Sequence, residues 1–173
     1  MKLIKQLRML VLIFGIIFYS SCSKTNKSDL NMKTNAYYNQ KLTLFEKKIN
    51  SLSEIIGDTV DIANKAVFIY CGYDCETCIE KGYMFASKLD NLKRKQSVFI
   101  VSTSANIAKD QIKSAYQNFV YKDEHDLIRK ELKYIYTPVF LLFGSDKKIT
   151  SVYFPGIDSI DDENKFLEEC KFD

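Results

Sequence analysis

A chain of 173 residues is long enough for one domain with its own core. Apolar residues at 46% and charged residues at 27% exclude a disordered or fibrous chain. The net charge of +3 comes entirely from Lys2, Lys5 and Arg8; beyond residue 21 there are 22 basic residues against 22 acidic ones, a balance that gives no reason to invoke nucleic acid.

Residues 1–21 read as a leader. Three basic residues precede an apolar run from Leu10 to Phe18, too short for a comfortable membrane span. Ser20-Ser21-Cys22 then resembles a bacterial lipobox, with Tyr19 as an unusual residue ahead of it. This implies cleavage before Cys22, which then carries lipid, and a mature chain facing the periplasm; a plain signal peptide with an incidental Cys22, or an uncleaved N-terminal anchor, is the competing reading. Residues 22–35 (CSKTNKSDLNMKTN) are polar and suit a flexible tether, leaving 36–173 as the domain.

From Tyr37 to Ile56 apolar residues recur in steps of three and four, which predicts an amphipathic helix closed by Gly57. A short strand and turn is expected over 58–64. Ala66–Tyr70 (AVFIY) is a buried strand by length and β-branched content. It runs into Cys71-Gly-Tyr-Asp-Cys75-Glu-Thr-Cys78 and then a helix with apolar residues at 79, 83, 85, 86, 89 and 92. A second buried strand follows at 97–101, a helix at 106–117 and a short strand at 118–121. Another helix opens at Asp123 or Glu124. Thr137–Phe143 is a third apolar strand, headed by one of only two prolines. The cluster 144–148 turns it into a hairpin with 149–154, which Pro155-Gly156 breaks. A closing helix over 159–172 has Ser159 as its N-cap and acids in its first turn. Alternating strands and helices predict an α/β fold, with a largely parallel sheet covered on both faces and a hairpin at one side.

The chemistry concentrates in the cysteines. Cys71, Cys75 and Cys78 have the C-x3-C-x2-C spacing of radical S-adenosylmethionine enzymes. Those enzymes need a far larger barrel and a reducing compartment, and no glycine-rich cofactor segment follows here. Tetrahedral zinc needs four ligands, yet there is one C-x-x-C and a single histidine, His125, within a charged run. Thiol–disulfide exchange fits best. The order strand, loop, C-x-x-C, helix puts Cys75 at a helix N-terminus, where unpaired N–H groups stabilise a thiolate. Cys78 lies one turn on. A static Cys75–Cys78 bridge is the competing reading, although so small a loop stabilises little.

Two segments resemble the thioredoxin superfamily. One is Phe68-Ile-Tyr-Cys-Gly-Tyr-Asp-Cys75-Glu-Thr-Cys78; the other is Tyr136-Thr137-Pro138-Val-Phe-Leu-Leu-Phe143, with Pro155-Gly156 following the hairpin. The resemblance covers residues 58–172. An interval of 60 residues between Cys78 and Pro138 leaves room for the extra βα unit of the exported TlpA/ResA-type thiol-disulfide oxidoreductases. It implies a thioredoxin-like fold with a central mixed sheet, here preceded by an extra N-terminal helix. It also implies Cys75 as nucleophile, Cys78 as resolving thiol, and Thr137 with a cis Pro138 as the docking edge for a protein substrate.

The sequence departs from the family in three ways. Asp74 stands where the family has Trp, and a carboxylate beside Cys75 is expected to oppose its ionisation. Glu-Thr is an unfamiliar intervening pair. No buried acid stands ahead of the motif, where Phe68 and Ile69 lie. The local charge favours a reductase or isomerase over an oxidase. Cys71 reads as a small buried side chain or an auxiliary thiol, and Cys170 as a packed one; a Cys71–Cys170 bridge stays open.

The function expected is thus a lipid-anchored, periplasm-facing thiol-disulfide oxidoreductase. No cofactor or metal is expected. Its partners are protein disulfides and a membrane or periplasmic dithiol that donates electrons. The alternative is a non-catalytic binding lipoprotein of the cell envelope on the same fold. A peroxide reductase of peroxiredoxin type ranks lower, because Gly72 stands where such enzymes place Thr.

Overall fold

The computed structural model describes residues 27–93 and 97–171, so the expected leader and Cys22 lie outside the described residues. Two units are distinguished, Met1–Asn35 and Ala36–Asp173. The second carries every strand, and its description follows.

Five strands form one sheet: β1 (Ala66–Tyr70), β2 (Val98–Ser102), β3 (Val120–Lys122), β4 (Val139–Phe143) and β5 (Ile149–Tyr153), in the order β3-β2-β1-β4-β5. β1, β2 and β3 are parallel; β4 runs antiparallel to β1, and β5 antiparallel to β4. All five residues of β1, of β2 and of β4 are buried, because successive side chains enter two different cores. Val67, Ile69, Val101, Val139 and Leu141 point to one side. There they meet Leu44 of α1 (Lys27–Leu44), Leu52 and Ile56 of α2 (Ser51–Ile56), and Ile128 of α5 (Leu127–Glu131). Phe68, Tyr70, Ile100, Phe140 and Leu142 point to the other side. There they meet Ile79, Tyr83 and Leu89 of α3 (Glu76–Lys93) and Phe166 of α6 (Ile160–Glu169). A mixed sheet, helices on both faces and an extra N-terminal helix make this the thioredoxin-like α/β fold that the resemblance implies.

One glycine decides how closely α3 approaches the sheet. A Cβ at Gly82 would lie 2.1 Å from the Phe68 ring, so the bare backbone is what seats the helix there. Phe68 in turn stacks on Phe140, its register partner across β1 and β4, with centroids 4.5 Å apart. Among the described residues no helix is long and apolar enough to cross a membrane.

Several boundaries differ from expectation. The helix expected over 37–56 is two: α1 begins at Lys27 and ends at Leu44, and α2 starts at Ser51. Between them Glu46, at φ 64°, donates its N–H to Ile149 O, and Lys47 O accepts from Ile149 N, each at 2.9 Å. The outer edge of β5 draws this backbone out of the helix. Residues 58–64 form turns and no strand; Asp61 Oδ1 accepts from Ala63 N at 3.1 Å, a local closure that competes with pairing. The helix expected over 106–117 is the shorter α4 (Ile107–Lys113). The helix expected from residue 123 starts at Leu127, because buried Asp123 accepts from the N–H groups of Leu127 and Ile128 at 2.8 and 3.1 Å. Ser159 caps α6 as expected, in a reciprocal capping box with Asp162.

Candidate functional site

Cys75 closes the loop after β1 at the position just before α3. Its carbonyl accepts from Cys78 N at 2.9 Å and Ile79 N at 3.0 Å, so it is the residue from which the helix hydrogen bonding begins. Its side chain is exposed, and Cys78 is half-buried behind it. Cys71, Cys75 and Cys78 are all free thiols.

The two thiols of the pair differ electrostatically. Cys75 is held below the ordinary thiol range, first by a hydrogen bond from the Cys78 thiol, then by the N–H groups of Cys78 and Thr77 and by the Lys81 charge. Burial, together with its donation to Cys75, pushes Cys78 up to about 11. The outer thiol is thus the one more readily ionised, and the inner one the one that holds its proton. Gly156, at φ 82°, packs directly on the inner thiol: a Cβ there would lie 3.1 Å from Cys78 Sγ.

Cys75 is lowered overall although Asp74 precedes it, and the Asp74 side chain is engaged elsewhere. Its carboxylate turns back toward the strand ends instead. Oδ2 accepts from Cys71 N at 2.7 Å, and Oδ1 from Thr137 Oγ1 at 2.8 Å and from Cys71 Sγ at 3.2 Å. Its charge is felt by Cys78, Cys71 and the phenol of Tyr37, and adds to what raises each of them. Cys71 itself is buried at the end of β1, and burial is the main reason its thiol is raised. Being a free thiol, it forms no bridge to Cys170, which lies in the core beside α6.

The Thr137–Pro138 peptide is cis, Pro138 is buried, and Thr137 is half-buried at the head of β4. The structure thus brings Cys71, Asp74, Thr137 and the start of α3 together. Sequence reasoning missed what stands behind them. Tyr37 of α1 packs on Tyr136 and Phe154, with centroids 4.8 and 4.9 Å apart. Gln40 Oε1 accepts from Tyr136 N at 2.8 Å. Lys41 pairs with Asp158 at 2.7 Å, while Asp158 also accepts from Phe154 N at 2.7 Å. Three residues of one helix turn thereby hold the segments on both sides of the dithiol, 136–138 and 154–158. Their helical spacing marks them as one face, but nothing local shows that the face meets these loops. Tyr73, two residues before Cys75, is 98% exposed, and Tyr136 and Ile157 are exposed nearby in sequence to Thr137 and Gly156. Among the described residues no three His, Cys, Asp or Glu side chains converge as metal ligands do.

No protein-family model matches the chain, and no curated protein does. Solved structures similar to it include a secreted disulfide oxidoreductase of Mycobacterium tuberculosis, at 10% identity and a TM-score of 0.47 over 64% of this chain and 83% of that one. The thioredoxin domain of a thiol-disulfide oxidoreductase from Bacteroides vulgatus is 18% identical, with a TM-score of 0.47 over 63% of this chain and 81% of that one. A reduced 2-Cys peroxiredoxin of Plasmodium vivax is 10% identical, with a TM-score of 0.42 over 64% and 80%.

Proposed function

We propose that the chain is a thiol-disulfide oxidoreductase acting on protein disulfides through Cys75 and Cys78. The observation that supports this most is the exposed Cys75 thiol at the head of α3, held below its ordinary range by N–H groups and by the thiol behind it. The Cys75 thiolate attacks one sulfur of the partner's disulfide. A Cys75–partner bond forms, the partner's S–S bond breaks, and the released sulfur takes a proton from solvent. Cys78 then loses its proton and attacks Cys75 Sγ, closing Cys75–Cys78 and releasing the partner's second sulfur, which is protonated. The partner gains two electrons and two protons. A dithiol protein of the membrane or periplasm restores the pair by the same chemistry.

Thr137 and Pro138 supply the edge against which the partner's chain lies extended. Tyr73, Tyr136 and Ile157 offer apolar surface to an unfolded or flexible client. In this reading residues 1–21 are removed, Cys22 carries the lipid, and the domain works at the envelope surface.

The test is turnover of a model protein disulfide by the full chain in detergent. Wild type is expected to reduce it in the presence of a dithiol. Cys75→Ser loses turnover, and Cys78→Ser accumulates a mixed disulfide with the substrate. Thiols inert to alkylation, with no exchange in any redox buffer, would sink the reading in favour of a binding module.

A further inference from the structure

The carboxylate of Asp74 accepts three hydrogen bonds, from Cys71 and from Thr137, two residues 66 positions apart in sequence. Two come from Cys71, through its N–H and its thiol. The third comes from the hydroxyl of Thr137, at 2.8 Å, shorter than the 3.5 Å from that hydroxyl to Cys71 Sγ. The hydroxyl has one proton, and the charge-assisted O–H···O⁻ contact takes it. The carboxylate is therefore a tie between the loop that carries the dithiol and the head of β4. A residue facing solvent beside Cys75 would do neither, so the turn of Asp74 away from its sequence neighbour is informative.

We propose that Asp74 is the positioning residue of this site: its carboxylate fastens the Thr137–Pro138 edge to the loop that carries the dithiol. The inference rests on the exchange reading above.

Two substitutions in the full chain test the tie. Asp74→Ala removes the acceptor for both segments. Asp74→Asn keeps one oxygen for Thr137 and puts an NH2 where the second oxygen accepts from Cys71 N, so it retains the tie across the segments and loses the bond within the loop. Exchange is read as kcat and KM with a peptide disulfide, and affinity as binding of the same peptide to the Cys75→Ser chain. Asp74→Ala is expected to raise KM about tenfold with kcat within about twofold and to weaken binding by the same factor, as the loss of one charge-assisted hydrogen bond predicts, and Asp74→Asn to recover most of that loss. An unchanged KM and affinity in Asp74→Ala overturn the tie. Binding needs no turnover: a wild-type chain that exchanges nothing removes the proposed function, while peptide affinity still reports on Asp74.

Discussion

At the scale of single residues, two glycines mark where the backbone is packed against something that cannot yield. Gly82 sits inside α3, where alanine is ordinarily better by about 1 kcal/mol. Here the added methyl meets the Phe68 ring at 2.1 Å, and that ring is itself pinned between Phe140 and Tyr83. The clash outweighs the propensity gain, and Gly82→Ala is expected to destabilise the fold by about 2 kcal/mol, read as a lower urea midpoint. Gly156 is different in kind. Its φ of 82° costs an L-residue about 1–2 kcal/mol, and the methyl would press on Cys78 Sγ. Gly156→Ala is therefore expected to lose stability and also to slow closure of the Cys75–Cys78 bond, seen as a longer-lived mixed disulfide in a quenched exchange assay. A variant that loses stability while closing at the native rate would show that the inner thiol does not depend on this contact.

At the scale of elements, joints between segments are made by buried or half-buried carboxylates. Asp90 near the end of α3 shows this most fully. Oδ1 accepts from Ser97 N at 2.6 Å and Ser97 Oγ at 3.1 Å, and Oδ2 from Tyr116 Oη at 3.2 Å and Asn118 Nδ2 at 2.8 Å. One side chain thereby joins α3, the entry to β2 and the loop before β3. Asp90→Ala is expected to cost about 3 kcal/mol in chemical unfolding, because Ser97 and Tyr116 are buried and lose an acceptor that water cannot replace. Such joints explain what the sequence could and could not tell. The strands were legible because AVFIY, VFIV and VFLLF are apolar on both faces, and a fully covered sheet requires that. Cys75 at a helix head was legible because a strand, a loop and a periodic helix surround it. Long-range recruitment was not: the first helix breaks because β5 claims residues 46–47, and Asp74 faces Thr137 rather than its neighbour. Both outcomes depend on a segment far along the chain, and no local pattern encodes it.

At the scale of the molecule, the fold should be alkali-sensitive. Burial holds Tyr70 at about 12 and raises Tyr83, Tyr116 and Tyr153 as well, while Cys78 stands at about 11. The unfolded chain ionises its thiols near 8.5 and its phenols near 10. Above about pH 9 the unfolded state therefore binds fewer protons than the folded one, and stability falls with rising pH until the folded groups ionise too. The urea midpoint is expected to be level from pH 6 to 8 and to decline steadily from pH 9 to 11. Tyr83→Phe, which removes one of these phenols, should flatten part of that decline; a midpoint unchanged to pH 11 would contradict the assignment. Cys75, lowered in the fold, works in the opposite sense: what it adds is present above its unfolded value and lost as pH falls through its folded one. The N-terminal helix gives the whole a mechanical character. Tyr37, Gln40 and Lys41 reach both walls of the dithiol without crossing the sheet. Shifting α1 would thus disturb Tyr136 and residues 154–158 together, so the surroundings of the two sulfurs answer to a helix that shares no loop with them.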